Sequence, residues 1–333
     1  MRWLEVYAIE VARFGGPDVL DLSELADPAP GPGQVVVAAS ACDVLFVDTM
    51  IRAGMGADYF PIRPPYVPGN GVGGTVVGLA DEVDRRWLGR QVVAHTGGPG
   101  GTGGYAELAA VEVANCAAVP EGVELFDATA VLHDGTTALR ILENTGVDPG
   151  ERALVLGAAG GMGILLVQLL VKRGAQVVGA ARGRAKLELV SEAGAHSAID
   201  YAMPAWTDAV LDATRGWRPT IVLDGVGGNL GGQAFGLIAD GGRFSAHGTP
   251  SGSFAPINRD SARGRGVAVT TITDLQYGEG DRSRLLDAIL GEVESGQVAP
   301  VVGQTFSLAE ASKAHLGIEA RETVAKTLLV TDR

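Results

Sequence analysis

Two kinds of hydrophobic patterning divide the chain. Up to about residue 120, short apolar stretches are interrupted by glycine and proline clusters. Val35–Ser40 follows Pro28-Ala-Pro-Gly-Pro-Gly33, Gly69-Asn-Gly-Val-Gly-Gly74 leads into Thr75-Val-Val-Gly78, and Gly97–Gly104 leads into Tyr105–Ala110. This punctuation predicts a compact, mostly antiparallel β unit with long loops. After Pro120 the period changes. Phe126–Val131 and Thr136–Asn144 read as helices ending before Gly146 and Pro149-Gly150. Strands are then expected at Ala153–Gly157, Gln176–Ala180, Ala198–Asp200, Thr220–Asp224, Gly242–Ser245 and Val267–Ile272. Helices alternate with them at Met162–Arg173, Arg184–Ala193, Ala205–Thr214 and Leu230–Ile238. That alternation argues for a parallel sheet covered on both faces. A helix at Leu308–Leu316 and a strand at Thr327–Val330 are expected in the tail.

The stretch Ala153-Leu-Val-Leu-Gly157-Ala-Ala-Gly160-Gly161-Met162-Gly163 carries the most chemistry. A buried strand runs into a glycine turn that opens a helix, which aims unpaired backbone N–H groups and the positive end of a helix dipole at one point. Alone, a glycine-rich turn reads equally as a plain tight turn. Its flanks supply the strand and helix that dinucleotide binding requires.

Composition narrows the class. A chain of 333 residues, 46% hydrophobic and 20% charged, is long enough for two domains with separate cores. A formal charge of −13 argues against nucleic acid or an anionic membrane as partner. Met1-Arg-Trp-Leu-Glu5-Val-Tyr lacks an apolar leader core, so no signal peptide is expected, and no stretch is long and apolar enough for a membrane span. Cys42 and Cys116 are too few for a disulfide framework or a four-cysteine zinc lobe, and the cytoplasm is the expected location.

Several segments together resemble the medium-chain dehydrogenase/reductase superfamily, in its zinc-free quinone oxidoreductase (zeta-crystallin-like) branch. They are Val47-Asp-Thr-Met-Ile-Arg52-Ala-Gly54, Pro65-Tyr-Val-Pro-Gly69, Gly103-Gly-Tyr-Ala-Glu107, Gly135-Thr-Thr-Ala138, Gly157–Gly163 and Asp224-Gly-Val-Gly-Gly228. The resemblance implies an α/β fold: a doubly wound parallel Rossmann sheet plus a GroES-like, mostly antiparallel β domain. It places the GroES-like domain at 1–122 and 300–333 and the Rossmann domain at 123–299, with the active site in the cleft between them. It further implies a homodimer joined through the Rossmann sheet edge, for which Val267–Ile272 is the candidate strand.

Zinc-dependent relatives carry metal ligands at places that here hold Leu45, Asn70 with Gly71, and His133. Leucine and glycine side chains cannot ligate, so no metal is expected. The second strand, Gln176–Ala180, lacks the acidic residue that would accept a ribose 2′-OH and runs into Arg182 and Lys186. Missing acid and added base favour a 2′-phosphate, hence NADPH, although such cations also suit a solvated helix start. The resemblance adds Tyr201, the loop residue Val226, His247-Gly248-Thr249 beside the nicotinamide, and Arg321 and Lys326 toward the phosphates. It also adds Thr137 at the carboxamide, which local sequence reads equally as a helix N-terminal threonine.

In this branch hydride passes to a quinone or an enone, and an enone also needs a proton. Tyr66 and His133 are the candidate donors, against alternatives as a packing tyrosine and a satisfied interior histidine. Leu45, Phe46, Arg52 and Tyr66 are expected at the substrate pocket, and Met55, Tyr59 and Phe60 could extend its apolar wall. His95, His196 and His315 carry no recognisable constellation. The function expected is an NADPH-dependent, zinc-independent reductase of a small apolar quinone or conjugated carbonyl. A dedicated enoyl or ene reductase of secondary metabolism, or a non-catalytic NADPH-binding structural or redox-sensing protein, is the alternative.

Overall fold

The computed structural model describes residues 6–57, 59–97, 103–278 and 280–333. The leader reading at 1–5 and the middle of the Gly97–Gly104 run lie outside the described residues. Contacts group the chain into two units, one of the segments up to Thr136 and after Gly278, the other Thr137–Gly278.

The first unit opens with strands β1 (Val6–Glu10) and β2 (Asp21–Leu25), which pair antiparallel. Then come β3 (Gln34–Val44), helix α1 (Phe46–Arg52), β4 (Gly71–Leu79), β5 (Gln91–His95), β6 (Leu108–Glu112) and β7 (Cys116–Ala118). Helix α2 spans Leu125–Thr145, where the sequence suggests two shorter helices. Gly135 reads as a break, but it is a contact point: a Cβ there would meet Ile289 at 2.5 Å. The Thr136 hydroxyl donates back to the Leu132 carbonyl at 2.8 Å within the continuous helix.

The second unit alternates β8 (Arg152–Leu156), α3 (Gly161–Lys172), β9 (Gln176–Ala181), α4 (Arg184–Glu192), β10 (Ser197–Asp200), α5 (Trp206–Ala213), β11 (Ile221–Asp224), α6 (Gly228–Leu237), β12 (Arg243–Ala246), α7 (Arg259–Gly264) and β13 (Ala268–Thr271). The six strands are parallel in the order β10-β9-β8-β11-β12-β13. This is the doubly wound order, with its switch point between β8 and β11 and β13 at an edge. The strands are nearly continuous apolar runs, with Leu154, Val178, Val222 and Phe244 in one core, as a sheet covered on both faces requires.

The chain returns to the first unit with α8 (Asp281–Glu294), β14 (Val302–Ser307), α9 (Ala311–Glu319) and β15 (Lys326–Val330). Its sheet runs β14-β15-β3-β4-β5-β7, with β6 on β3, and every pairing except β14–β15 is antiparallel. Ile9, Val37, Val72, Val92, Tyr105 and Leu329 pack at its core. The expected domain borders at 122 and 300 differ from this grouping: the start of α2 and all of α8 go with the first unit. Thr129 and Leu132 fill the space beside Gly73 and Gly71 of β4, and Ile289 of α8 closes on Gly135.

Candidate active site

In the second unit, β8 ends at Leu156 and the chain turns through Gly157, whose φ of +71° favours glycine. Gly160 caps α3 in extended conformation with no side-chain cap. Ile164 N–H donates to the Gly160 carbonyl at 3.0 Å, so the N–H groups of Gly161, Met162 and Gly163 precede the first helical bond. A Cβ on Gly163 would lie 2.2 Å from the Gly157 carbonyl oxygen, so the helix packs against the turn because that residue has none. Ala158 is buried and its N–H donates to Ala180 at 3.1 Å, tying the turn to β9. Backbone N–H groups left without a side-chain cap at the positive end of a twelve-residue helix fit a diphosphate.

Strand β9 ends in buried Ala181. Arg182 beyond it is exposed, and Lys186 and Tyr201 are half-buried. A carboxylate does stand one strand over, at Asp200, in register with Ala181. It is already engaged, accepting from Gly183 N–H at 3.1 Å and Ala202 N–H at 2.8 Å. At the end of β11, Asp224 accepts from the N–H groups of Val226 (3.0 Å) and Gly227 (2.8 Å). Its backbone carbonyl accepts from His247 (2.9 Å) and Gly248 (3.1 Å), which ties the loops after β11 and β12 together. Burial pushes the His247 imidazole down to about 4, so it is neutral at ordinary pH. Thr249 is half-buried in the same loop. Thr137 lies deep in α2, which removes the helix N-terminal reading for it.

The first unit holds a buried charge cluster. β15 pairs antiparallel with the end of β3, Thr327 opposite Val44, which brings Lys326 beside Asp43. Lys326 Nζ forms an ion pair with Asp43 and lies 3.1 Å from Asp134 Oδ2 of α2. One turn face of α2 also supplies His133, whose Nδ1 is 2.8 Å from Asp43 Oδ2. Gly71 of β4 pairs with His95 at the end of β5, and His95 Nδ1 lies 2.9 Å from His133 Nε2. The two rings meet edge to face, 4.3 Å between centroids at 88°.

Burial alone would push the Asp43 carboxyl up, yet the Lys326 ammonium and His133 hold it below its ordinary value. Burial likewise disfavours the Lys326 charge, and Asp134 with Asp43 outweighs it, leaving Lys326 above the usual lysine range. Asp134 is raised by burial, in part offset by Lys326. His95 is driven well below an ordinary histidine by burial and by the neighbouring His133 and Arg282.

A second buried polar group lies around α1. Asp48 Oδ2 accepts from Leu45 N–H at 2.9 Å and Tyr105 Oη at 3.0 Å, and Tyr105 Oη lies 3.1 Å from His315 Nε2. Burial raises Asp48 to about 6 and lowers His315 to about 3. Leu45 and Phe46 are half-buried at the head of α1. Tyr66 follows the cis Pro64–Pro65 bond, and its backbone exchanges hydrogen bonds with Val11 at 2.9 and 3.2 Å. Its Oη is buried without a partner among the described residues, and burial with the Asp48 charge pushes it up to about 12.

Two expectations need correction. Lys326, expected at the cofactor phosphates, is 3% exposed and engaged by two carboxylates, so its ammonium is a structural counter-ion. Arg52, expected at the substrate pocket, is 1% exposed, with its guanidinium on Glu319 and the Thr49 carbonyl. Arg321 is a half-buried left-handed residue (φ +59°) after α9. Sequence reasoning gave His95 and His315 no role, and both lie in the buried networks.

The donor set does not fit zinc. Leu45 and Gly71 offer no ligand atom, and both His133 nitrogens are engaged. Among the described residues no group of three His, Cys, Asp or Glu side chains is placed to hold a metal. No helix among them is long and apolar enough to cross a membrane.

Residues 31–121 match the family model for the alcohol dehydrogenase GroES-like domain, and residues 161–279 that for the zinc-binding dehydrogenase. The quinone oxidoreductase of Pseudomonas aeruginosa is 30% identical over 97% of this chain and 98% of its own. The 2-haloacrylate reductase of a Burkholderia species is 29% identical over 98% of this chain and 99% of its own. The solved structure of mycobacterial Rv1454c complexed with NADPH superposes with a TM-score of 0.87 at 30% identity, covering 97% of this chain and 99% of that one.

Proposed function

This chain belongs to the medium-chain dehydrogenase/reductase superfamily, among its quinone oxidoreductases, and from that premise we propose that it is an NADPH-dependent reductase of a quinone or an α,β-unsaturated carbonyl compound. The observation that carries the reading is the glycine-rich turn from Gly157 to Gly163, which opens α3 without a side-chain cap. Gly161, Met162 and Gly163 would hold the diphosphate through backbone N–H groups, on a turn shaped by Gly157, Ala158 and Gly160. Arg182, Lys186 and Tyr201 would take the 2′-phosphate, since β9 ends without a carboxylate and Asp200 is committed to backbone donors. Thr137, Val226 and the His247–Thr249 loop are assigned to the nicotinamide half, and Arg321 to the phosphates. The mycobacterial structure solved with NADPH supports this choice of cofactor.

When bound, the reduced nicotinamide supplies the hydride. The chain's own task is to orient the acceptor, exclude water and meet the negative charge that develops on its oxygen. Leu45, Phe46 and Tyr66 form the apolar side of the substrate site in this reading. Tyr66 Oη, buried and without a partner among the described residues, is the hydroxyl available to that oxygen. An acrylate carries its C=C bond in conjugation with a carbonyl, so the relative named 2-haloacrylate reductase supports activated alkenes as acceptors beside quinones. The cytoplasm is the assigned location, and a homodimer paired at the β13 edge is the assigned assembly.

Absorbance loss of NADPH against a panel of quinones, enones and enoyl thioesters tests the reading. Saturable oxidation with at least one class is expected, and faster with NADPH than with NADH. Tight NADPH binding with no oxidation across the panel would instead establish the non-catalytic alternative.

A further inference from the structure

We propose that Asp200 sets the preference for the phosphorylated dinucleotide, as a positioning residue that staples together the two chain segments carrying the 2′-phosphate contacts. The inference rests on the NADPH reading above and lies wholly within the second unit.

The two segments leave the sheet side by side. Asp200, the last residue of β10, is in register with Ala181, the last residue of β9. Arg182 and Gly183 lead from Ala181 into α4, and Tyr201 and Ala202 follow Asp200. Tyr201 N–H donates to the Ala181 carbonyl at 3.1 Å, which joins the segments where they start. Beyond that point each oxygen of the Asp200 carboxylate holds a different one. Oδ2 accepts from Gly183 N–H at 3.1 Å, and Oδ1 accepts from Ala202 N–H at 2.8 Å. Each of those N–H groups belongs to the residue directly after a phosphate contact, Arg182 in one segment and Tyr201 in the other.

The first segment needs such a hold. Gly183 caps α4 at φ +81° without a side-chain cap, and a Cβ there would meet nothing within 4 Å, so glycine serves conformation and not close packing. A cavity of about 580 Å³ opens between α4 and β10, lined by Arg184 and Leu187 on one side and Ala198 and Asp200 on the other. Side chains therefore do not pack α4 flush against β10 beside this turn, and the Gly183–Asp200 hydrogen bond spans the gap. A cationic side chain grips an anion best from a backbone already in place, because ordering that backbone on binding costs affinity.

Charge alone argues the other way, which makes the role testable by sign. A carboxylate beside a bound 2′-phosphate repels it, so removing a bystander aspartate would tighten phosphate binding. Removing a staple must weaken it, since Arg182 and Tyr201 lose their common anchor. An aspartate that instead accepted a hydrogen bond from the ribose would matter most for the nucleotide without the 2′-phosphate.

Titration of the whole protein with adenosine 2′,5′-bisphosphate and with adenosine 5′-monophosphate reads this subsite without any hydride transfer. Asp200→Ala is expected to weaken the bisphosphate about 10-fold, near the worth of one hydrogen bond to a charged group, and to leave the monophosphate unchanged. Asp200→Asn keeps a carbonyl oxygen for one segment only and should fall between. In the wild type without nucleotide, the Gly183 and Ala202 amides should already be protected from hydrogen exchange, a measurement that needs no variant to fold. Bisphosphate binding unchanged or tighter in Asp200→Ala, a loss shared by the monophosphate, or amides protected only once the bisphosphate is bound overturns the staple and leaves the NADPH reading standing. A wild type that binds the two nucleotides equally overturns the 2′-phosphate assignment, and the staple with it.

Discussion

Lys326 Nζ lies 3.1 Å from Asp134 Oδ2 and pairs at the same time with Asp43, so a single buried ammonium joins β15, α2 and β3. The two carboxylates and the lysine have left water together, and none is tolerable there without the others. This fixes the platform on which His133 sits, because the Asp43 carboxylate is shared between Lys326 and His133.

Lys326→Met should therefore destabilise the first unit by about 3–5 kcal/mol, the cost of leaving a buried carboxylate unpaired. Urea unfolding at neutral pH measures it. The depressed Asp43 carboxyl adds a pH signature: its stabilisation is present above the unfolded value of about 3.9 and is lost as pH falls through the lower folded value. NADPH affinity should survive the substitution in folded protein. A large loss of affinity without loss of stability would return Lys326 to the phosphates.

Asp48 predicts the opposite slope. Its carboxyl is raised to about 6 by burial, so between about 4 and 6 the folded state holds a proton that the unfolded chain has released. Its contribution to stability is thus most favourable below the unfolded value and declines as pH rises to the folded one, by up to about 3 kcal/mol. Asp48→Asn can keep one oxygen for Leu45 N–H and Tyr105 Oη, both of which bond Oδ2. Melting temperatures should show it matching the wild type at pH 5 and exceeding it at pH 8.

Much of this molecule is legible in its sequence, and the misses have physical causes. The parallel unit reads well because strands such as Leu154–Leu156 and Val222–Leu223 are unbroken apolar runs between helices with glycine stops. Helix α8 carries an equally plain and local stripe, Leu285, Leu286, Ile289 and Leu290, all buried. Gly135 misled because glycine marks both helix ends and close packing, and Ile289 lies 154 residues further along the chain than Gly135. The geometry of the glycine turn could be placed because it is set by residues adjacent in sequence. His95 could not, since its partner His133 is 38 positions away and their meeting depends on how β5 pairs with β4 and β4 packs on α2. Lys326 failed for the same reason: nothing near it in sequence announces two carboxylates from other elements.

Tyr66→Phe removes a hydroxyl that has no partner among the described residues, so stability should hold or rise. Raised to about 12, the phenol stays protonated at working pH and is able to donate to a developing oxyanion. Loss of that donor should lower kcat by roughly 100-fold, with NADPH affinity unchanged. Steady-state kinetics with an enone and with a quinone read the effect. Full activity in the phenylalanine variant would return Tyr66 to a packing role.

Cofactor choice is tested at the end of β9. Arg182→Ala with Lys186→Ala should raise the KM for NADPH about 10- to 100-fold, the worth of a hydrogen bond to a charged group, and leave that for NADH alone. The two nucleotides should then be used equally. A wild type that already prefers NADH would show that Asp200 or another acceptor reads the ribose despite its ties to Gly183 and Ala202.

Gly160 and Gly163 separate folding from binding within one turn. A Cβ at position 163 would lie 2.2 Å from the Gly157 carbonyl oxygen and under 3 Å from two Ala158 backbone atoms. Backbone cannot yield as a side chain can, so Gly163→Ala should push α3 off the turn, cost about 1–3 kcal/mol, and abolish NADPH binding. At Gly160 the nearest atom to a new Cβ is 3.4 Å away and the backbone is an ordinary extended one, so Gly160→Ala should fold with wild-type stability. Its methyl group would nonetheless crowd the mouth of the N–H cradle, where a diphosphate must come within hydrogen-bond distance of backbone. Fluorescence titration should show weakened NADPH binding in Gly160→Ala beside an unchanged melting temperature. Unaltered affinity there would mean that the diphosphate lies somewhere other than the head of α3.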